Sequence, residues 1–211
     1  MGLAVVRPRF SGCVYAGEPS FNSLTREVQR MSDTPPLRQP VATDEKCISV
    51  IGMAGAGKST VGKALANALS WAFMDSDHII EAHYGTRLQD VADSMTKDDF
   101  LDVEGEIIRR IGARRTVIST GGSVVYRQAA IEHLQSLGHV VYLNVELPVI
   151  LERIRHNPER GLAIAPGQTV EDLYHERRAL YEAAADFTVS CAGLSPDECA
   201  QTIVRWLESQ S

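Results

Sequence analysis

Residues 52–60 read Gly-Met-Ala-Gly-Ala-Gly-Lys-Ser-Thr, and their types and spacing suit one task, the holding of a phosphate chain. A loop built from Gly52, Gly55, Ala56 and Gly57 lets successive backbone N–H groups turn inward with little side-chain bulk in the way. Lys58 can then reach the β- and γ-phosphates, the Ser59 hydroxyl can bind Mg²⁺, and Thr60 begins the next turn of chain. A helix from Lys58 to about Leu69 would aim its positive N-terminal end at the same phosphates. The motif sits between an apolar run, Cys47 to Ile51, and that helix, which is the setting in which such a loop binds a nucleotide. A glycine-rich turn without a ligand is the plainer alternative.

Further along, Asp75 and Asp77 close the segment Phe73-Met74-Asp75-Ser76-Asp77. Mg²⁺ keeps several waters and takes few protein ligands, so Ser59 plus Asp75 would suffice to hold it. Asp77 could accept or orient the proton of an attacking hydroxyl. If the strand continued that far, both carboxylates would leave it on one side; capping of a helix from His78 is the other task that Asp suits here. The Gly121-Gly122-Ser123 turn lets backbone amides approach a substrate closely, although a simple strand-to-helix turn also explains it. His156 to Gln168 interrupts helical patterning on both sides and reads as a lid. Arg160 within it could move onto a transferring phosphoryl group, where a guanidinium neutralises developing charge; a solvated loop arginine is the alternative.

These residues must be positioned by a scaffold, and the chain supplies a pattern for one. Cys47 to Ile51, Trp71 to Met74, Thr116 to Ser119, Val140 to Val145 and Phe187 to Ser190 are five short apolar runs separated by helical segments. Such alternation predicts an α/β fold with a mostly parallel sheet covered on both faces. The phosphate loop, Asp75 to Asp77 and Gly121 to Ser123 all follow strands, so they meet beyond the strands' carboxyl ends. Residues 1–45 lack sustained periodicity and contain Pro35, Pro36 and Pro40, which predicts a flexible tail. Met31 is an alternative start, with residues 1–30 then an over-called N-terminus; residues 46–211 form the domain, with the lid at about 156–168.

Composition narrows the function. The 211 residues are 44% hydrophobic, enough for one catalytic domain, and the formal charge of −6 without a basic cluster argues against a nucleic-acid surface or a polybasic membrane contact. No apolar run approaches the roughly 20 residues of a membrane span. The four cysteines lack C-x-x-C spacing, which suggests neither a zinc site nor a disulfide framework and fits a reducing cytoplasm. The expected partner is a small soluble hydroxyl compound, and the expected state a monomer or weak homo-oligomer.

With these motifs in order, the stretch from about Lys46 to Ser209 resembles the shikimate kinase family. The resemblance implies a three-layer P-loop kinase fold with a five-stranded parallel sheet and a lid, and ATP and Mg²⁺ as cofactors. It matches Gly52 to Thr60 to the phosphate loop, Asp75 to the metal and Asp77 to the substrate hydroxyls. It also matches Gly121 and Gly122 to the substrate-binding turn, with Ser123 in place of a third glycine. Arg160 falls at the lid arginine and Arg153 where an arginine packs on adenine. The resemblance further implies two arginines for the substrate carboxylate, one after Phe100 and one after Leu180-Tyr181, where this chain has Leu101 and Glu182.

Two acceptor readings follow. Arg178, a helical turn before Glu182, or Arg109 or Arg110 could rebuild a carboxylate clamp for shikimate. Alternatively Glu182, with Glu104, could hold the ammonium of a hydroxy-amino acid such as homoserine or another amino alcohol. A third reading keeps the fold as a non-catalytic nucleotide-binding regulator. Intact Lys58, Ser59, Asp75, Asp77 and Arg160 favour turnover.

Overall fold

In the computed structural model, residues 46–156, 164 and 167–210 are described. The first strand, β1 (Cys47–Ile51), is buried along its whole length, as an apolar run bounded on both sides by neighbours should be. It is flanked by β3 (Thr116–Ser119) and β4 (Gly138–Asn144), while β2 (Ala72–Asp75) and β5 (Phe187–Ser190) form the edges. All pairings are parallel in the order β2-β3-β1-β4-β5. The predicted α/β class and five parallel strands are therefore observed.

Two strands differ from the apolar runs at both ends. β4 begins at Gly138 because Cys47 pairs with it, and the register then runs to Ile51 opposite Tyr142. β2 runs on to Asp75 because that residue still pairs with Ser119. Partner register, rather than local hydrophobicity, sets where each strand starts and stops.

The helices follow from right-handed crossovers. Helix α1 (Lys58–Leu69) leads from β1 across β3 to the β2 edge and lies on one face of the sheet. α2 (Ser76–Tyr84), α3 (Leu88–Asp93) and α4 (Lys97–Arg109) join β2 to β3; α5 (Gln128–Leu137) joins β3 to β4 after a 3₁₀ turn at Val124–Tyr126. These connections run the opposite way along the sheet and cover the other face, as do α6 (Leu147–His156) and α7 (Val170–Ala184) between β4 and β5. The last helix, α8 (Pro196–Ser209), packs beside α1.

Local sequence fixes several helix starts. Thr169 and Asp172 form a capping box on α7, and Ser195 and Glu198 form another on α8, where Pro196 occupies the first turn. The main core joins the sheet to both helical layers. A smaller cluster of Ile80, Val91 and Phe100 ties α2, α3 and α4 together, and this cluster backs one wall of the cleft described below.

Connections leave β1 and β3 in opposite directions, so a crevice opens at their carboxyl ends. The phosphate loop follows β1 and the glycine turn follows β3, and both line it. Residues 1–45 and most of the predicted lid, Arg160 included, lie outside the described residues. Among the described residues no helix is long and apolar enough to cross a membrane.

Candidate active site

The loop after β1 is shaped by its glycines. Gly55 has φ 82° and Gly57 φ 93°, left-handed values that favour glycine, and Gly57 caps α1. Lys58 folds back, its Nζ donating to the carbonyls of Gly52 at 2.9 Å and Met53 at 3.0 Å. Burial pushes its pKa down, while the charges of Asp77, Asp75 and Glu104 pull it up. Among the described residues the direct partners of this buried ammonium are these two carbonyls, and it lines the cleft beside the loop.

Ser59 Oγ donates to Asp75 Oδ2 at 2.6 Å and lies 3.3 Å from Ser119 Oγ. A hydroxyl and a carboxylate oxygen side by side at the phosphate loop are hard donors of the kind Mg²⁺ takes, so these residues fit that ion. Asp75 also accepts from Asp77 N at 3.2 Å and caps α2, so the capping task considered for it is observed and leaves Oδ2 beside Ser59. That cap corrects the expected strand geometry. The chain turns helical at Ser76, which puts Asp77 in the first turn of α2 rather than on β2, yet both carboxylates still line the cleft. Burial, and then the charge of Asp75, push Asp77 up to about 6.

The cleft has a volume of about 620 Å³, within the range of small-ligand sites. Gly121 N donates to Ser76 Oγ at 3.1 Å, which fixes the turn against α2. A Cβ on Gly121 would lie 1.7 Å from Glu104 Oε1 and 3.1 Å from Asp77 Oδ1, so glycine is what lets two carboxyl groups crowd this turn. A Cβ on Gly122 would lie 3.3 Å from Arg177 Nη1. The expected turn residues Gly121 and Gly122 thus sit between an acidic wall and a guanidinium.

That guanidinium belongs to a residue the sequence reading passed over. Arg177 is 1% exposed and lines the cleft. Its Nε donates to Tyr126 Oη at 3.2 Å, and the group lies 5.0 Å from the centroid of the same ring. Tyr181, one turn further along α7, donates to the Gly122 carbonyl and stacks on Tyr142 at 5.1 Å. α7 therefore grips the glycine turn through Arg177 and Tyr181.

The arginine and glutamate expected at the substrate are elsewhere. Arg178 Nε pairs with Glu182 Oε1 at 2.9 Å, with 51% and 48% of the side chains exposed, and neither lines the cleft. Helical phase explains the correction. α7 buries Leu173, Tyr174, Arg177, Tyr181 and Ala184, a stripe that turns Arg178 and Glu182 outward. Arg109 and Arg110 likewise pair with Glu106 at the surface. The stripe was readable: Arg177 lies four residues before Tyr181 and four after Leu173, on the apolar face.

Glu104 does reach the cleft, at 2% exposed. Burial pushes its carboxyl up to about 7, while hydrogen bonding from Ser123 works the other way. On the far side of the phosphate loop, a second cavity of about 380 Å³ is lined by Gly55, Gly57, Thr60, Arg153 and Cys199, among others. Arg153 Nη1 donates to the Gly55 carbonyl at 2.9 Å and the Ala56 carbonyl at 3.3 Å, which sets its side chain along the wall of that cavity.

Comparison with known proteins agrees with this geometry. The family model for shikimate kinase matches residues 54–208. A shikimate kinase of Thermodesulfovibrio yellowstonii is 35% identical over 169 residues, which are 79% of this chain and 97% of that protein. One from Cupriavidus pinatubonensis is 37% identical over 161 residues, covering 75% and 84%. Among solved structures, shikimate kinase from Acinetobacter baumannii in complex with shikimate superposes with a TM-score of 0.74 at 29% identity, covering 80% of this chain and 96% of that one. The enzyme from Aquifex aeolicus gives 0.67 at 30%, with coverage of 78% and 97%. A phosphate loop at the β1–β3 crevice, carboxylates and a buried arginine across from it, and a family match over most of the domain lead to one conclusion: the chain is an ATP-dependent small-molecule kinase and belongs to the shikimate kinase family.

Proposed function

We propose that the enzyme transfers the γ-phosphoryl group of ATP to a hydroxyl of a small hydroxylated carboxylic acid, with shikimate the first candidate. The observation that carries this reading is Arg177, a guanidinium held at 1% exposure in the cleft beside Gly122. A planar fork in a site shielded from water suits a carboxylate better than it suits a neutral sugar. The names of the relatives point the same way. Glu182, the basis for an amino-bearing acceptor, is paired with Arg178 away from the cleft, which weakens the homoserine reading.

In this scheme Lys58 leaves the Gly52 and Met53 carbonyls for the β- and γ-phosphates, and the loop amides hold the remaining oxygens. Mg²⁺ on Ser59 and Asp75 would supply further positive charge to those phosphates. Asp77, a carboxylate above its value of about 6, accepts a hydrogen bond from the acceptor hydroxyl and orients its oxygen towards the γ-phosphorus. The new P–O bond forms as the bond to the bridging oxygen of ADP breaks, and the hydroxyl proton leaves through Asp77. Arg153 flanks the adenine side. Arg160, assigned on sequence alone, neutralises charge on the moving phosphoryl group. Residues 46–211 are the catalytic domain and residues 1–45 a tail, and we place the enzyme in the cytoplasm.

The test is phosphoryl transfer followed by ³¹P NMR with shikimate, ATP and Mg²⁺. Wild-type protein should give a phosphate monoester and Lys58→Ala about 10²-fold less or none. Transfer at the wild-type rate by Lys58→Ala, or no dependence on Mg²⁺, would sink the scheme.

A further inference from the structure

Helix α4 is amphipathic, and its inward residues are Phe100, Leu101, Glu104, Gly105 and Ile108. One of these is a carboxylic acid. Its Oε1 abuts Gly121, and its Oε2, at a residue only 2% exposed, has no hydrogen-bond partner among the described residues. A buried carboxylate oxygen left unpaired is unfavourable, and native structures seldom keep one without a purpose. Ser123 hydrogen-bonds the carboxyl group and the charges of Arg177 and Lys58 favour its ionised form, yet Oε2 itself is left without a hydrogen bond among the described residues. Leu101, one turn earlier on the same helix, is aliphatic, and Asp77 brings a second carboxyl group that repels the first. The open side of Glu104 is the cleft itself.

We propose that Glu104 is a specificity-determining residue of the acceptor site. Its Oε2 accepts a hydrogen bond from a hydroxyl or ammonium group of the acceptor, at a position other than the hydroxyl that is phosphorylated. This rests on the reading of the cleft as a hydroxy-acid site and adds a second requirement to it. An acceptor must present a carboxylate to Arg177 and a donor to Glu104, two walls that meet at the Gly121-Gly122 turn. A compound with the carboxylate and the reacting hydroxyl but no third polar group would bury Glu104 unsatisfied. Sites built to receive a hydrogen bond reject analogues that lack it more strongly than apolar pockets reject a missing methylene.

The experiment compares wild-type and Glu104→Gln enzymes on shikimate and on analogues in which each non-transferred hydroxyl is replaced by hydrogen or by an amine. Both kcat/KM and calorimetric Kd are read. In the wild type, one replacement by hydrogen should lower kcat/KM by about 10²-fold, mainly through KM. In Glu104→Gln the parent compound should weaken and that discrimination should shrink to within about fivefold. Preference for the amine over the hydroxyl at that position identifies the donor as ammonium, and the reverse identifies it as hydroxyl. Tolerance of every replacement by the wild type overturns the proposal without any variant. An equal loss on all compounds in Glu104→Gln also overturns it, because Glu104 would then only pack the wall. Turnover of shikimate without discrimination removes Glu104 alone, whereas a wild-type protein that neither binds nor phosphorylates any of these acids removes the hydroxy-acid reading and this inference with it.

Discussion

Arg177→Lys separates the binding of a carboxylate from the binding of phosphates more cleanly than any other change in the cleft. The substitution keeps one positive charge and most of the aliphatic stem, so Glu104 retains a nearby cation. What it removes is the planar fork, the hydrogen bond of 3.2 Å to Tyr126 and the ring contact at 5.0 Å. A charge-assisted bond inside a site shielded from water is worth about 2–4 kcal/mol, so losing one arm of a bidentate contact corresponds to about 30- to 10³-fold. The expected result is a rise of that size in KM for shikimate, with KM for ATP changed by less than about threefold, because Arg177 lines the cleft and not the cavity beside Arg153 to which adenine is assigned in the proposed scheme. Coupled detection of ADP at varied acceptor and ATP gives both constants, and a thermal melt checks that the fold survives. Unchanged KM for the acceptor, or equal loss in both KM values, would refute the assignment of Arg177 to the carboxylate.

The remaining outcomes concern charge. In the proposed scheme Asp77 is ionised when it orients the acceptor, so kcat/KM should fall on the acid side with an apparent pKa near 6 and lose that limb in Asp77→Asn, as a pH–rate profile would read. Arg178→Ala and Glu182→Ala should each leave kcat/KM within about twofold and stability within about 0.5 kcal/mol, since their ion pair is half-exposed; a tenfold loss in acceptor KM would restore them to the site. For Glu104, a folded value of about 7 against 4.5 means that the folded protein holds the proton more tightly. Stability should therefore decline as pH rises from about 4.5 to 7, by up to about 3 kcal/mol. Glu104→Gln should accordingly raise the denaturation midpoint at pH 8 but not at pH 4.5; equal shifts at both would contradict the burial argument.

Much of this architecture could be read from the chain because its signals are local. The phosphate loop is contiguous, each strand is an apolar run, and the caps at Thr169 and Ser195 use neighbouring residues. The strand ends that ran beyond the apolar runs were set by partners far away in sequence, Gly138 by Cys47 and Asp75 by Ser119. The acceptor wall was harder to read because it depends on helical phase. Arg177 and Arg178 are adjacent, and only the buried stripe of α7 tells which one turns inward. Glu104 is expected from the sequence as a partner of Glu182 for an ammonium group, but its burial comes from α4 packing against the glycine turn, which no local pattern reveals. Asp77 reached the cleft by a different route from the one expected, through the first turn of a helix that Asp75 caps.

The central claim is tested most directly by measuring ADP release from ATP and Mg²⁺ by purified enzyme with shikimate, homoserine and a panel of small hydroxy acids and amino alcohols. Saturable turnover with shikimate or a closely similar hydroxy acid is expected, with little on neutral amino alcohols and a strong KM penalty in Arg177→Lys. Turnover confined to amino alcohols without a carboxylate, unaffected by Arg177→Lys, would contradict that claim.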